Sequence, residues 1–155
     1  MGDFHINVEK RIKALSSIKY NVKITSEGHI KLPMLGYKLK EYEVLYRPDI
    51  ILLDKDSNEI KHVIELEEGT DPSSELRYKL ITFEFCLTMM KQHNKQISNP
   101  NFMMIVLGNK SDRKKDNMNA RANYLWMYLK NIDKITLLFQ EDLNNLEEIC
   151  KSNII

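Results

Sequence analysis

The stretch RPDIILLDKDSNEIKHVIELEEG, residues 47–69, reads as two apolar runs joined by a polar turn. Acids sit where buried strands ordinarily carry none: Asp49 in the first run, Glu65 and Glu67 in the second. Folded as a hairpin with its loop KDSNE centred on Ser57, the runs pair Leu53 with Lys61, Ile51 with Val63, Asp49 with Glu65 and Arg47 with Glu67. Ile50 then opposes Ile64 on the other face. Facing residues of an antiparallel pair bring their Cβ atoms to roughly 4.5–5.5 Å, and Glu67, two residues past Glu65, shares its face. An acidic patch of Asp49, Glu65 and Glu67 is therefore expected, with Pro48 interrupting the ladder beside it. Carboxylates that close need a proton or a cation between them. A divalent ion such as Mg²⁺ meets that need, and so does a salt bridge to Arg47 or Lys79.

Outward from the hairpin, the periodicities change in a regular way. Phe4, Val8, Ile12 and Leu15 recur at helical spacing and predict a first helix to about Ile18. YNVKITSE alternates as a half-buried strand does. GHIKLPMLGYKLKEYE, with Pro33 and Gly36, reads as a loop or irregular excursion. Strands are expected at about Val44–Asp54 and Lys61–Glu67. A helix follows, with Asp71 as its N-cap and Pro72 in its first turn. NFMMIVLG predicts a buried strand, NMNARANYLWMYLKN a helix, KITLLF a strand and EDLNNLEEICK a closing helix. Helix, three strands, helix, strand, helix, strand, helix describes an α/β domain with a mixed sheet and helices on its faces.

The whole chain of 155 residues suits one domain with one core. Charged residues make up 29% and net charge is only +1, so no global argument for a polyanionic partner exists. A local one does: NKSDRKKDNMNAR gathers Lys110, Arg113, Lys114, Lys115 and Arg121. A phosphate-binding patch and a solvated charged loop both fit that run. Cys86 and Cys150 lack metal-ligand spacing and are expected as reduced core thiols of a cytoplasmic protein. No apolar stretch approaches a membrane span, and MGDFHINVEK has neither a signal-peptide core nor the myristoylation pattern. NYLWMYLK and the closing helix are apolar enough for a homodimer face, with core packing the favoured reading.

RPDIILLD…VIELEEG resembles the PD-(D/E)XK nuclease superfamily, whose signature is Pro-Asp on one strand and acid-x-Lys on the next, followed by a helix. Pro48-Asp49 matches the first element and Glu65-Leu66-Glu67 the second. The element order over about Phe4 to Leu107 is similar to that superfamily's αβββαβ core. The resemblance implies a restriction-endonuclease-like fold over residues 1–155 and hydrolysis of nucleic-acid phosphodiesters, with DNA ahead of RNA. It implies Mg²⁺ or Mn²⁺ held by Asp49, Glu65 and the Leu66 carbonyl, with Glu9 of the first helix a further acid. Lys110, Arg113, Lys114, Lys115 and Arg121 would then grip phosphates. Glu67 stands where the family's lysine belongs, giving the E-x-E variant that some active restriction enzymes carry. Glu67 would accept the water's proton or bind a second ion. Lys79 is the nearest candidate for the missing charge, although four residues after Glu75 it reads first as a surface ion pair. The rival expectation is a catalytically inactive relative that binds nucleic acid or protein.

Two other strings mislead. DKDSNEIKHVIE places Asp54, Asp56, Asn58 and Glu65 as an EF-hand would, but Glu59 replaces the required glycine and the flanks are strands. IVLGNKSD looks like a guanine-recognition motif, yet the chain has no phosphate-cradling G-x-x-x-x-G-K-[ST] loop. The histidines His5, His29, His62 and His93 show no paired metal spacing, and strand parity points His62 away from Glu65.

Overall fold

The computed structural model describes residues 2–27, 46–93 and 97–154. Their elements are α1 (Asp3–Ser16), β1 (Tyr20–Ile24), β2 (Ile50–Asp54), β3 (Ile60–Glu67), α2 (Pro72–His93), β4 (Asn101–Val106), α3 (Asp112–Trp126), β5 (Ile135–Phe139) and α4 (Leu146–Asn153). Short 3₁₀ segments at Thr25–Glu27 and Gln140–Asn145 follow β1 and β5. The strands lie in the order β1-β2-β3-β4-β5. The first three are antiparallel, while β4 and β5 run parallel to β3. This is the mixed α/β sheet that the sequence predicts. The ambiguous stretch 28–43, with the first residues of the predicted second strand, lies outside the described residues.

Strand alternation splits the core into two layers. Ile51, Leu53, Val63, Phe102, Met104 and Val106 face α2 and α3, where Leu76, Leu80, Phe83, Leu87, Met118 and Ala122 cover them. Ile50, Leu52, Ile64, Leu66, Met103 and Ile105 face α1 and α4, against Val8, Ile12, Leu146 and Cys150. β4 is flanked by strands on both edges and covered on both faces, which is why it reads as an unbroken apolar run. Cys86 and Cys150 are free and buried, and burial pushes each thiol up to about 11. Among the described residues no helix is long and apolar enough to cross a membrane.

The central hairpin keeps part of the expected register. Ile50 pairs with Ile64 and Ile51 with Val63, but Leu53 pairs with Ile60 rather than Lys61 because a bulge intervenes. The reason is burial. A regular ladder would aim Lys61 into the layer beneath α2; the bulge turns Lys61 out to Glu59 and Ser98 and brings Ile60 in. The polar turn is held by Asp54, whose Oδ2 accepts from the backbone of Asp56 and Ser57 and from the Ser57 hydroxyl. Asn58 takes the left-handed conformation that Asn tolerates better than most residues. Nothing of an EF-hand remains there.

β2 begins only at Ile50, so Arg47 and Asp49 form no ladder pairs with Glu67 and Glu65. Proline at 48 explains this: the chain bends, the Asp49 carbonyl accepts from Thr25 N–H (2.9 Å), and the Thr25 hydroxyl bonds the Pro48 carbonyl. The last residues of β3 thus project past their antiparallel neighbour. On α1 the buried side is His5, Val8, Glu9, Ile12 and Ser16, while Phe4, expected inside, is 45% exposed. α2 starts as the sequence predicts, with Asp71 accepting from both Ser74 N–H and the Ser74 hydroxyl.

Candidate metal and acid site

The three acids of the opening motif collect at the projecting end of β3, but in two linked groups. Asp49 uses Oδ2 to accept the Leu66 N–H at 2.7 Å, occupying the place that a β2 backbone carbonyl would take. In a strand the N–H and C=O of one residue point to the same neighbour, so the Leu66 carbonyl shares that open edge. The other oxygen of Asp49 faces α1, 3.8 Å from His5 Nε2. Glu9, one turn along α1, has Oε1 3.1 Å from the same nitrogen and accepts the Ser26 hydroxyl at Oε2 (2.6 Å). One ligand atom from each of His5, Glu9 and Asp49 fits within 4.8 Å of the others. His5 Nδ1 lies 3.8 Å from the more exposed Glu68.

Glu65 and Glu67 point to the opposite layer, toward α2. Glu65 is 2% exposed; its Oε1 accepts from the Tyr46 hydroxyl (2.7 Å) and its Oε2 from Lys79 Nζ (2.8 Å). Lys79 also stands 3.5 Å from Glu67 Oε2, and Glu67 Oε1 accepts the Gly69 N–H at 2.7 Å. Burial pushes the Glu65 carboxyl up to about 8, and the Asp49 charge adds to this against Lys79 and Tyr46. Burial works to lower Lys79, but Glu65, Asp49 and Glu67 outweigh it, so Lys79 is held above the ordinary lysine value and stays charged. The Tyr46 hydroxyl is pushed well up by burial and by Glu65, and remains a donor.

Two expectations from sequence are corrected here. Lys79 does not serve as a surface partner of Glu75: α2 packs its Leu76, Leu80 and Phe83 side on the sheet, and this carries Lys79 over the end of β3. The histidines, which show no paired spacing in the sequence, include one that joins the acids: His5 and Glu9, at i and i+4 on the buried side of α1, meet Asp49 in a group that could hold a metal ion. The signal was present as a histidine and an acid spaced one turn apart among core positions. His62 does lie across the sheet from Glu65, against Tyr20, and burial takes it down to about 4.

The basic run divides. Lys115 pairs with Glu141 and lies over the Phe139 ring, 5.6 Å from its centroid, so it serves packing on its own flank. Lys114 Nζ donates to the Thr70 carbonyl at 3.3 Å, three residues beyond Glu67 in the chain. Lys114, Asn117, Ala120, Arg121 and Tyr124 line an open cleft against Ser73 at the start of α2. Lys110 lies beside Gly108 at the end of β4, and Arg113 is exposed on the first turn of α3. That turn is capped by Ser111, whose side chain accepts from Lys114 N–H. No protein-family model matches the chain, and neither a curated protein nor a solved structure matches it.

Proposed function

We propose that this protein is a nuclease dependent on a divalent cation, hydrolysing phosphodiester bonds of nucleic acid on a restriction-endonuclease-like core. The observation that carries the reading is the convergence at one sheet end of acids from α1, the Pro48 bend and β3, with Lys79 bonded to Glu65. The donor set suits the ion: Asp49, Glu9 and the Leu66 carbonyl offer the hard oxygens that Mg²⁺ and Mn²⁺ take. His5 adds a nitrogen that weights the set toward Mn²⁺. Once bound, such an ion lowers the pKa of a water ligand and offsets charge developing on the phosphate.

The chain's own groups would do the rest. Asp49 stands between the two groups of acids, with its position fixed by the Leu66 N–H. Glu65 completes the oxygen set when it loses its proton, and Tyr46 and Lys79 orient it. Glu67 keeps Oε2 toward Lys79, where a carboxylate can take a proton from an attacking water. Lys79 brings to this spot from the helix the positive charge that the E-x-E motif lacks on the strand. The test is cleavage of single- and double-stranded DNA and RNA with Mg²⁺ or Mn²⁺. Cleavage that Asp49→Ala and Glu65→Gln abolish is expected; undiminished cleavage by either variant refutes these roles.

A second reading rests on a specific observation: each acid already has a donor or cation against it within the chain. Such a site can be a settled ion-pair network in an inactive nuclease-like domain that binds nucleic acid or protein. Calorimetric titration with Mn²⁺ separates the two, because the network reading gives no saturable heat that Asp49→Ala removes.

A further inference from the structure

One flank of α3 carries a stripe that the acid site does not use. Lys114, Asn117, Arg121, Tyr124 and Tyr128 recur at alternating steps of three and four, so they lie along one side of the helix and its following turn. Met118 and Ala122, between them in sequence, are buried and hold the helix on the sheet. Tyr124 and Tyr128 are 61% and 66% exposed, although NYLWMYLK reads as core, and only Leu125 and Leu129 of it pack inward. The two tyrosine rings lie in tilted contact, their centroids 5.2 Å apart and their planes at 54°, and both stay largely exposed. Tyr124 belongs to the same open cleft as Lys114 and Arg121.

We infer that this stripe binds single-stranded nucleic acid, with phosphates on Lys114 and Arg121 and unstacked bases on Tyr124 and Tyr128. Exposed rings next to cations are the two parts of a sequence-tolerant single-strand site: charge follows the backbone and π-faces take the bases. A duplex cannot use the rings without opening its own stacks, which costs a few kcal/mol per step. Cations alternating with exposed rings match the charge of a polyanion, and a protein face seated on the same tyrosines is an outcome that the test below separates. The stripe has a direction. Its cationic end touches Thr70, three residues beyond Glu67, and its aromatic end begins at Tyr124, about 15 Å along the helix at ~1.5 Å per residue. A strand lying on it would therefore present a phosphate to the acids several nucleotides from the bases it stacks. That use as substrate rests on the proposed nuclease reading; the binding itself does not.

Fluorescence anisotropy in EDTA, which prevents cleavage, tests the binding directly. The probes are labelled oligo(dT) and oligo(rU) of about a dozen nucleotides, within known single-strand site sizes, and a blunt duplex of equal length. Single strands are expected to bind more tightly than the duplex, and oligo(dU), which has the base of oligo(rU), separates the effect of the sugar from that of the thymine methyl. Tyr124→Ala and Tyr128→Ala should each weaken single-strand binding by about five- to a hundredfold, while Tyr124→Phe restores it. Arg121→Ala should weaken single strand and duplex alike and lower the salt dependence by about one phosphate contact. Equal binding of duplex and single strand, or unchanged affinity in both tyrosine variants, overturns the inference. So does a dimer by light scattering that Tyr124→Ala dissolves, since the rings would then seat a second copy. Intact single-strand preference without metal-dependent cleavage removes the nuclease reading alone.

Discussion

Replacing Lys79 with Met tests whether the ammonium is coupled to Glu65. The substitution keeps most of the stem but removes the donor 2.8 Å from Glu65 and 3.5 Å from Glu67. With Lys79 present the Glu65 carboxyl already stands at about 8, so its raised value makes the native state less stable as pH climbs from the ordinary glutamate range toward 8. Without Lys79 the value rises further. At pH 6.5 Glu65 is protonated in both proteins, and the variant loses little more than a hydrogen bond, about 1 kcal/mol. Above 8 the parent gains an ion pair, whereas the variant must keep its proton at about 1.4 kcal/mol per pH unit. The deficit should therefore be about 2 kcal/mol larger at pH 9.5 than at pH 6.5, and its ceiling is the ~3–5 kcal/mol of a broken buried pair. Urea unfolding at the two pH values measures it, and Glu65→Gln in the same background should erase the difference. A deficit equal at both pH values would refute the coupling.

Other expectations concern the surrounding groups. Mn²⁺ should bind more tightly than Mg²⁺ by calorimetry, and His5→Ala should shrink that preference while leaving Mg²⁺ affinity less affected. Tyr46→Phe, which removes the hydroxyl on Glu65, should cost about 1–2 kcal/mol of stability in denaturant titration. His62, taken down to about 4, stays neutral in the fold while the unfolded chain protonates near 6.5, so stability is lost as pH falls between those values. His62→Gln should flatten that acid limb, worth up to about 3 kcal/mol, in thermal melts from pH 4 to 7.

The order of elements was legible because each one has a local cause. Asp71-Pro72 starts α2, the apolar run Phe102–Val106 marks a strand covered on both faces, and β1 alternates. The hairpin register was legible through Ile51 and Val63 and failed beyond Leu52, because a bulge depends on which side chain the core accepts rather than on the turn. Lys79 and His5 were misread for the same kind of reason. Each faces the acids because a long-range packing surface rotates its helix, and spacing within a helix cannot say which sheet end that surface meets. Tyr46 was not singled out at all: a tyrosine before Arg-Pro-Asp carries no signal until Phe83 stacks on its ring at 5.5 Å and turns the hydroxyl to Glu65.

The bulge has a practical consequence for engineering. It lies between the Ser57 turn and the pairs Ile50–Ile64 and Ile51–Val63, so the hairpin tip is geometrically insulated from the projecting end of β3. A short reporter peptide spliced between Asp56 and Ser57 would disturb the bonds to Asp54 and leave the spacing of Asp49 and Leu66 as it is. The tip is thus an insertion port through which the protein can be labelled or immobilised at a distance from the acids of β3.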